Sequence, residues 1–303
     1  MTNFEKNTTK TSENKEALFE TLLVILDEID RVCKKNNIRY FAFAGTLLGA
    51  VRHGGFIPWD DDIDLAMLRK DYERFILCCE KDLSPGFSLQ TTLNEDDFYK
   101  YQIRIRKDDT TCLTRDEALF ARAGKKIHRN CGIFVSVFPL DTVPESKFIV
   151  RIQNLTAYIR NKLLRIFIYR DEKDLKTKIV KLYCSIVGYK NIYKRFVKSF
   201  AKYSQKTGSM IRYPVLYSFA PITSYFTEDF SDAIFLSFEN RKIPCPIGYK
   251  RCLERPYGKE YMIPPPAEER GKHIHSQFID TNKCYKEYTD LDSQTLLKII
   301  ENN

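Results

Sequence analysis

Gly45-Thr-Leu-Leu-Gly-Ala-Val-Arg-His-Gly-Gly-Phe-Ile-Pro-Trp-Asp-Asp-Asp-Ile-Asp64 is the stretch on which the reading of this chain turns. A Gly-Thr turn opens it. Four carboxylates in five residues, Asp60, Asp61, Asp62 and Asp64, close it. The last two run into the apolar segment Asp62-Ile-Asp-Leu-Ala-Met67. Charges placed there cost stability unless something compensates them. A divalent metal ion is the obvious compensator, and a metal beside such a turn points to chemistry on phosphates.

Upstream, Ile38 to Ala44 is β-branched and aromatic and predicts a strand. Gly45-Thr46 then turns the chain into a short helix, Leu47 to Arg52, and His53 to Pro58 forms a loop. Asp62 to Met67 predicts a second strand. Side chains alternate along extended backbone, so Asp60, Asp62 and Asp64 share one face and Asp61 and Ile63 take the other. Neighbours on that face stand about 7 Å apart, near enough to share one or two hard cations. The expected ion is Mg²⁺ or Mn²⁺, with Asp62 and Asp64 as its ligands. Gly45 and Thr46 offer N–H groups and a hydroxyl at a helix N-terminus, a natural phosphate cradle. Arg52 and His53 on the loop are placed to neutralise phosphate charge.

The remaining periodicity predicts an α+β protein. A helix covers Glu16 to Asn36, with Leu18, Leu22, Ile25, Leu26, Ile29 and Val32 on one face. Another covers Lys70 to Glu80. Strands are expected at Tyr99 to Arg106, at Gly132 to Phe138 ending before Pro139-Leu-Asp141, and at Ala233 to Glu239. This divides the chain into a polar disordered lead-in (1–16), a catalytic core (17–146), a basic helical lobe (147–212) and a C-terminal part (213–303) that completes the catalytic domain. The lobe carries 17 Lys and Arg against three acids, so it supplies more than the whole net charge of +9. Such a segment suits an anionic partner such as membrane headgroups, or else is a solvated surface with its cations outward. It holds no nucleic-acid motif, and no nucleic-acid partner is expected. The nine cysteines are odd in number and contain no Cys-x-x-Cys, which suits a reducing compartment. With no apolar leader visible, the expected location is the cytoplasm, peripheral at the inner face of the membrane.

The Gly45–Asp64 stretch closely resembles the signature of the LicD family, which includes bacterial phosphocholine transferases and is related to the fukutin-type proteins. Weaker matches follow in the family's order: Asp71-Tyr72 with Phe75, Gly132-Ile-Phe, Phe138-Pro-Leu-Asp141, Phe238-Glu239, Ile243-Pro, and Tyr257-Gly258 before Pro264-Pro265. The resemblance covers roughly residues 20 to 280. It implies a nucleotidyltransferase-like mixed sheet flanked by helices. It implies metal-dependent transfer of a phospho-alcohol, commonly phosphocholine from CDP-choline, to a hydroxyl of a glycan, lipid-linked or of the lipopolysaccharide or teichoic acid kind. Asp62 and Asp64 would hold the metal, Gly45 and Thr46 would meet donor phosphate, and Arg104 or Arg106, on one face of a strand, would contact the pyrophosphate. Trp59 reads as a stacking surface for a base, as a wall for a choline ammonium, or as packing. His273 and His275 suit a surface or acceptor-facing role, and Glu239 reads as a late site carboxylate or a surface ion pair.

One position departs from the family. A third carboxylate is expected on the strand before Phe-Pro-Leu-Asp, and Ser136 stands there. Asp141, Asp60 and Asp61 are the candidates to replace it, Asp141 reading equally as a turn or capping residue. Two other functions stay open: transfer of NMP with the same metal logic, and a catalytically impaired member that only binds its ligand.

Overall fold

The structure, a computed structural model, describes residues 3–96, 98–169, 174–204, 208–213, 223–271 and 274–301. Helix α1 (Asn3–Lys35) takes in the segment read as a lead-in and continues through the predicted helix. Its six predicted apolar positions are all buried, and they pack on the sheet. Burial of such a stripe, worth about 1.5–3 kcal/mol per large apolar side chain, holds the helix down.

The sheet is mixed and seven-stranded. Its strands are β1 (Phe41–Ala42), β2 (Asp64–Leu68), β3 (Phe87–Gln90), β4 (Ile103–Lys107), β6 (Ile133–Thr142), β7 (Met210–Arg212) and β8 (Ser224–Phe226). The central path runs β1-β2-β6-β4-β3, and β7 and β8 extend it from the far end of β6. Only β2 and β6 pair in parallel. Helices α2 (Ala44–Arg52) and α3 (Arg69–Asp82) flank β2. Strand β5 (Thr111–Thr114) leads into α4 (Arg115–Arg122), which starts on a capping box of Thr114 and Glu117. The lobe consists of α5 (Lys147–Tyr169), α6 (Leu175–Val187) and α7 (Tyr189–Ala201), packed on one another. A hairpin of β9 (Ala233–Phe238) and β10 (Arg241–Pro246), then α8 (Tyr249–Tyr257), brings the chain back to the sheet. Strand β11 (Ser276–Asp280) pairs with β5. Among the described residues no helix is long and apolar enough to cross a membrane.

Strand β4 starts at Ile103 rather than Tyr99, and two further elements of the sheet differ from the sequence reading. The first strand shrinks to two paired residues, because the chain turns into α2 directly at Ala44, whose φ is +48°. Strand β6 does not end before Pro139 but runs through it to Thr142. Pairing with β4 stops at Val137, so one side of β6 is open where proline lacks its donor, until β7 pairs from Asp141.

Asp141 is fully buried at that end of β6. It receives two hydrogen bonds from Arg69, each of 2.7 Å, and others from Tyr101 (2.8 Å) and Ser204 (3.0 Å). A buried pair is held by its geometry, and removing one member strands the other's charge. Arg69→Ala is therefore expected to lower the free energy of unfolding by about 3–5 kcal/mol in urea titration. A loss under 1 kcal/mol would show that the pair is dispensable.

Candidate active site

The site begins at the β1–α2 corner. Phe43 caps α2 with extended backbone and no side-chain acceptor, so the first-turn N–H groups are left without intrahelical partners. Gly45 lies in that turn, and a Cβ there would sit 2.7 Å from Oδ2 of Asp60. Glycine thus leaves room for a carboxylate at the positive end of the helix. Thr46 does not hold its hydroxyl free toward a ligand. Its Oγ1 accepts the Asp64 N–H at 2.8 Å, while the Phe43 N–H donates to the Asp64 carbonyl at 2.9 Å. The corner grips Asp64 by its backbone from both sides.

The Gly54–Phe56 loop is secured by Glu239. Its Oε1 accepts the Phe56 N–H at 2.9 Å and its own N–H donates to the Gly54 carbonyl at 2.8 Å. A Cβ on Gly55 would collide with that carboxylate. Glu239 is therefore a strut for the loop, held at a φ of +54°. From α1, Lys15 Nζ donates to the Pro58 carbonyl beside the acidic cluster, a contribution from within the presumed lead-in.

Strand β2 starts at Asp64 rather than Asp62, and Asp60 to Ile63 lie outside the ladder, although the Ile63 carbonyl accepts the Ser136 N–H of β6 at 3.0 Å. The alternation expected of a strand persists without one. Asp60, Asp62 and Asp64 line a cleft of about 630 Å³, and Asp61 does not. Asp61 instead accepts the N–H groups of His275 (3.1 Å) and Ser276 (2.7 Å) together with the Ser276 hydroxyl. It ties the start of β11 to the acidic loop. The opposite wall comes from the C-terminal part, with Tyr257, Glu260, Tyr261, Ile263, Pro265, Glu269 and His275. His275 Nε2 lies 3.5 Å from Asp62 Oδ2. His273 lies outside the described residues.

Charge is crowded here. Burial, then Asp60, pushes the Asp64 carboxyl up to about 7. Burial, then Asp64 and Asp60, raises Asp62 well above the ordinary carboxylate value. Asp60 is raised by burial and by Asp61. Tyr257 is raised too, by burial and by the same three carboxylates. The cation that opposes these shifts at both Asp62 and Asp64 is Arg104.

Arg104 belongs to a row across three strands. Asp64 on β2 is paired with Ser136 on β6, and Ser136 with Arg104 on β4. Directly paired residues share a face. The serine that replaces the expected third carboxylate therefore separates Asp64 from Arg104. The Arg104 guanidinium lies 3.7 Å from the Phe134 ring centre, and its Nε has no partner among the described residues. Arg106 is fully buried, donates to Gln90 (2.7 Å) and to the Gly132 carbonyl, and is lowered to about 10 by burial and by Arg104. It does not line the cleft. Asp141, committed to Arg69, is likewise absent from the site, so of the three candidates to replace the third carboxylate only Asp60 lines the cleft beside Asp62 and Asp64, with Glu260 and Glu269 on the opposite wall.

Of the loop residues, Arg52 lines the cleft and donates to the Tyr261 carbonyl at 3.0 Å. His53 is exposed outside the cleft, and burial and Arg52 lower its pKa. Trp59 lines the cleft with the Arg270 guanidinium 4.7 Å from its ring centre, so its face already accommodates a cation. Sequence reasoning missed Tyr261, Glu260, Glu269 and Ser276. The signal available was Tyr257-Gly258 before Pro264-Pro265, which marked the segment but not its facing.

With this geometry in place, comparison with known proteins is informative. Residues 37–134 match the family described as LicD/FKTN/FKRP, nucleotidyltransferase domain. The lipopolysaccharide cholinephosphotransferase LicD of Haemophilus influenzae is 27% identical over 268 residues, which is 85% of this chain and 95% of that protein. The human ribitol 5-phosphate transferase FKRP is 48% identical over 40 residues, 13% of this chain and 8% of its own length. An uncharacterized protein of Rickettsia typhi is 44% identical over 55 residues, 18% of each chain. The acidic side of the cleft, Ala44 to Asp64, thus lies in the segment that is similar to the LicD/FKTN/FKRP nucleotidyltransferase domain, and the likeness to LicD of Haemophilus influenzae runs along most of the chain.

Proposed function

We propose that this protein transfers a phospho-alcohol, phosphocholine in the first instance, from a CDP-activated donor to a glycan hydroxyl, with a divalent cation bound by its acidic cluster. The observation that carries the reading is the convergence of Asp60, Asp62 and Asp64 on one cleft at the N-terminus of α2. The likeness to a lipopolysaccharide cholinephosphotransferase along 85% of the chain supports the same class of reaction.

The donor set fits a hard cation. Its ligand atoms are acidic oxygens, and those of Asp60, Asp61 and Asp62 lie within 4.8 Å of one another. Asp61 is tied to the His275–Ser276 backbone and does not line the cleft, while Asp64 lies outside that group but lines the cleft with Asp60 and Asp62, so we draw the ligands from Asp62, Asp64 and Asp60. Mg²⁺ or Mn²⁺ held there would neutralise charge that develops on the transferred phosphoryl group and on the leaving CMP. The chain's own residues position the reactants. Arg52 and the open first turn of α2 face donor phosphate. Tyr257, Tyr261 and Trp59 line the cleft with aromatic surface that suits an organic cation. The acceptor oxygen bonds to phosphorus as the bond to CMP breaks, and a carboxylate of the cluster takes the hydroxyl proton. Transfer of NMP from the same donor would use the same residues, but the acceptor would attack the other phosphorus, keep CMP and release the phospho-alcohol.

The deciding experiment follows nucleotide release by purified protein with Mg²⁺ and CDP-choline, CDP-ribitol, CDP-glycerol or CDP-ethanolamine in the presence of a glycan acceptor. CMP without pyrophosphate is expected. Release of free phospho-alcohol with CMP left on the acceptor would instead select the NMP reading. Asp62→Asn and Asp64→Asn are each expected to lower turnover by about 10²–10³-fold or more, with the melting temperature retained. Turnover within a factor of two of wild type in both variants would remove these carboxylates from the mechanism.

The raised carboxyls set the pH behaviour. Asp64 at about 7 binds a proton more tightly folded than unfolded, so metal-free protein loses stability as pH rises from about 4 to about 7. Cation binding needs the carboxylates ionised, so affinity for Mg²⁺ is expected to rise over that window, with proton release in calorimetry. Affinity that is flat from pH 5 to 8 contradicts the assignment. Gly45→Ala, which drives a methyl into Asp60 Oδ2, is expected to weaken Mg²⁺ binding about tenfold, roughly 1.4 kcal/mol. An unchanged dissociation constant would exclude Asp60 from the ligand set.

A further inference from the structure

The catalytic reading leaves the outward face of α5 and α6 unused. The periodicity of 147–200 predicts apolar residues inward and Lys and Arg outward. The inward half holds in part: α5 buries Ala157 and Leu164 but also Gln153 and Arg160, and α6 buries Cys184 and Thr177. The opposite side of each helix is also apolar, and it is exposed. Phe148, Ile152 and Leu155 follow one another at helical spacing on α5, as do Leu175, Leu182 and Ile186 on α6, with exposures of 45–75%. Scattered exposed hydrophobes are ordinary, but stripes on two packed helices are not.

The helices that carry these stripes are basic, and among the described residues the exposed acids beside them, Glu145 and Asp174, stand at their N-terminal ends. Arg151 and Lys162 flank the stripe of α5 and Lys178 that of α6, and all three are exposed. Neither helix contains an Asp or Glu. A second copy seated on this face would bring like charges together, because a two-fold contact pairs a patch with itself. A surface that is negative at its boundary and apolar just beneath matches both features, and an anionic bilayer has that profile. We propose that α5 and α6 dock the protein on an anionic membrane surface, with their apolar stripes in the acyl boundary and the flanking cations among the headgroups. The contact is peripheral, since neither helix is long and apolar enough to span a bilayer. It is independent of the transfer reaction, and binding is measured without turnover.

The test is co-sedimentation of the full chain with sucrose-loaded vesicles of phosphatidylglycerol and phosphatidylcholine, against phosphatidylcholine alone. Wild type is expected to pellet with the anionic vesicles, more weakly as salt rises, and to stay in solution with the neutral ones. Leu175→Glu with Ile186→Glu should cut partitioning at least tenfold, and Lys178→Gln about fivefold, the worth of one cation near such a surface. Both changes are at exposed positions, and the melting temperature checks that the fold is kept. The proposal fails if wild type ignores anionic vesicles, binds neutral ones equally, or pellets unchanged after both substitutions. It also fails if light scattering shows a dimer that the double substitution dissociates, which makes the face a self-association surface.

Discussion

Burial of Asp60, Asp62 and Asp64 together, with the repulsion among these neighbouring carboxylates, is the constraint the acidic half of this fold has to contain. Each carboxyl sits partly out of water with two others for neighbours, which pushes all three toward the protonated form. Left to themselves the side chains would splay. The scaffold prevents this by holding backbone rather than charge. Thr46 and Phe43 clamp Asp64 at the start of β2, and Asp61 pins the loop to Ser276. Gly45 lets Asp60 rest against the start of α2. Electrostatic preorganisation of this kind keeps an ionic site ready at a standing cost in stability.

The sequence made some of this visible and hid the rest for definite reasons. The face of α1 was legible because its period is local and its burial nearly complete. The split between Asp61 and its neighbours was legible too, since extended backbone alternates whether or not it pairs. The start of β2 was not, because pairing with β6 is a long-range fact. The role of Asp141 was hidden for the same reason: its partners Arg69, Tyr101 and Ser204 are scattered in sequence. Thr46 shows a subtler limit. A hydroxyl at a helix start suggests a ligand contact, yet here it is turned to a backbone N–H from the next strand. The outward stripes of α5 and α6 show the opposite failure, since periodicity reveals an apolar face without saying what covers it.

The Asp64–Ser136–Arg104 row gives the missing third carboxylate a physical meaning. An acid at position 136 would stand between a carboxylate and a guanidinium and would pair with the latter. Serine leaves Arg104 stacked on Phe134, with its charge felt by Asp62 and Asp64 instead. The row therefore exchanges a negative centre for a field that partly quiets the two that remain. Asp60, arriving from the loop, restores the count in the cleft by another route.

The strap between Asp61 and Ser276 joins residues 215 positions apart, and β5 pairs with β11 across a comparable gap. The far wall of the cleft, from Tyr257 to His275, is therefore held to the acidic loop by ties that no local segment of the chain can make alone. The chain's last quarter is what turns an acidic ledge into a two-walled cleft, and its grip on that ledge rests on the one carboxylate of the cluster that does not face the cleft.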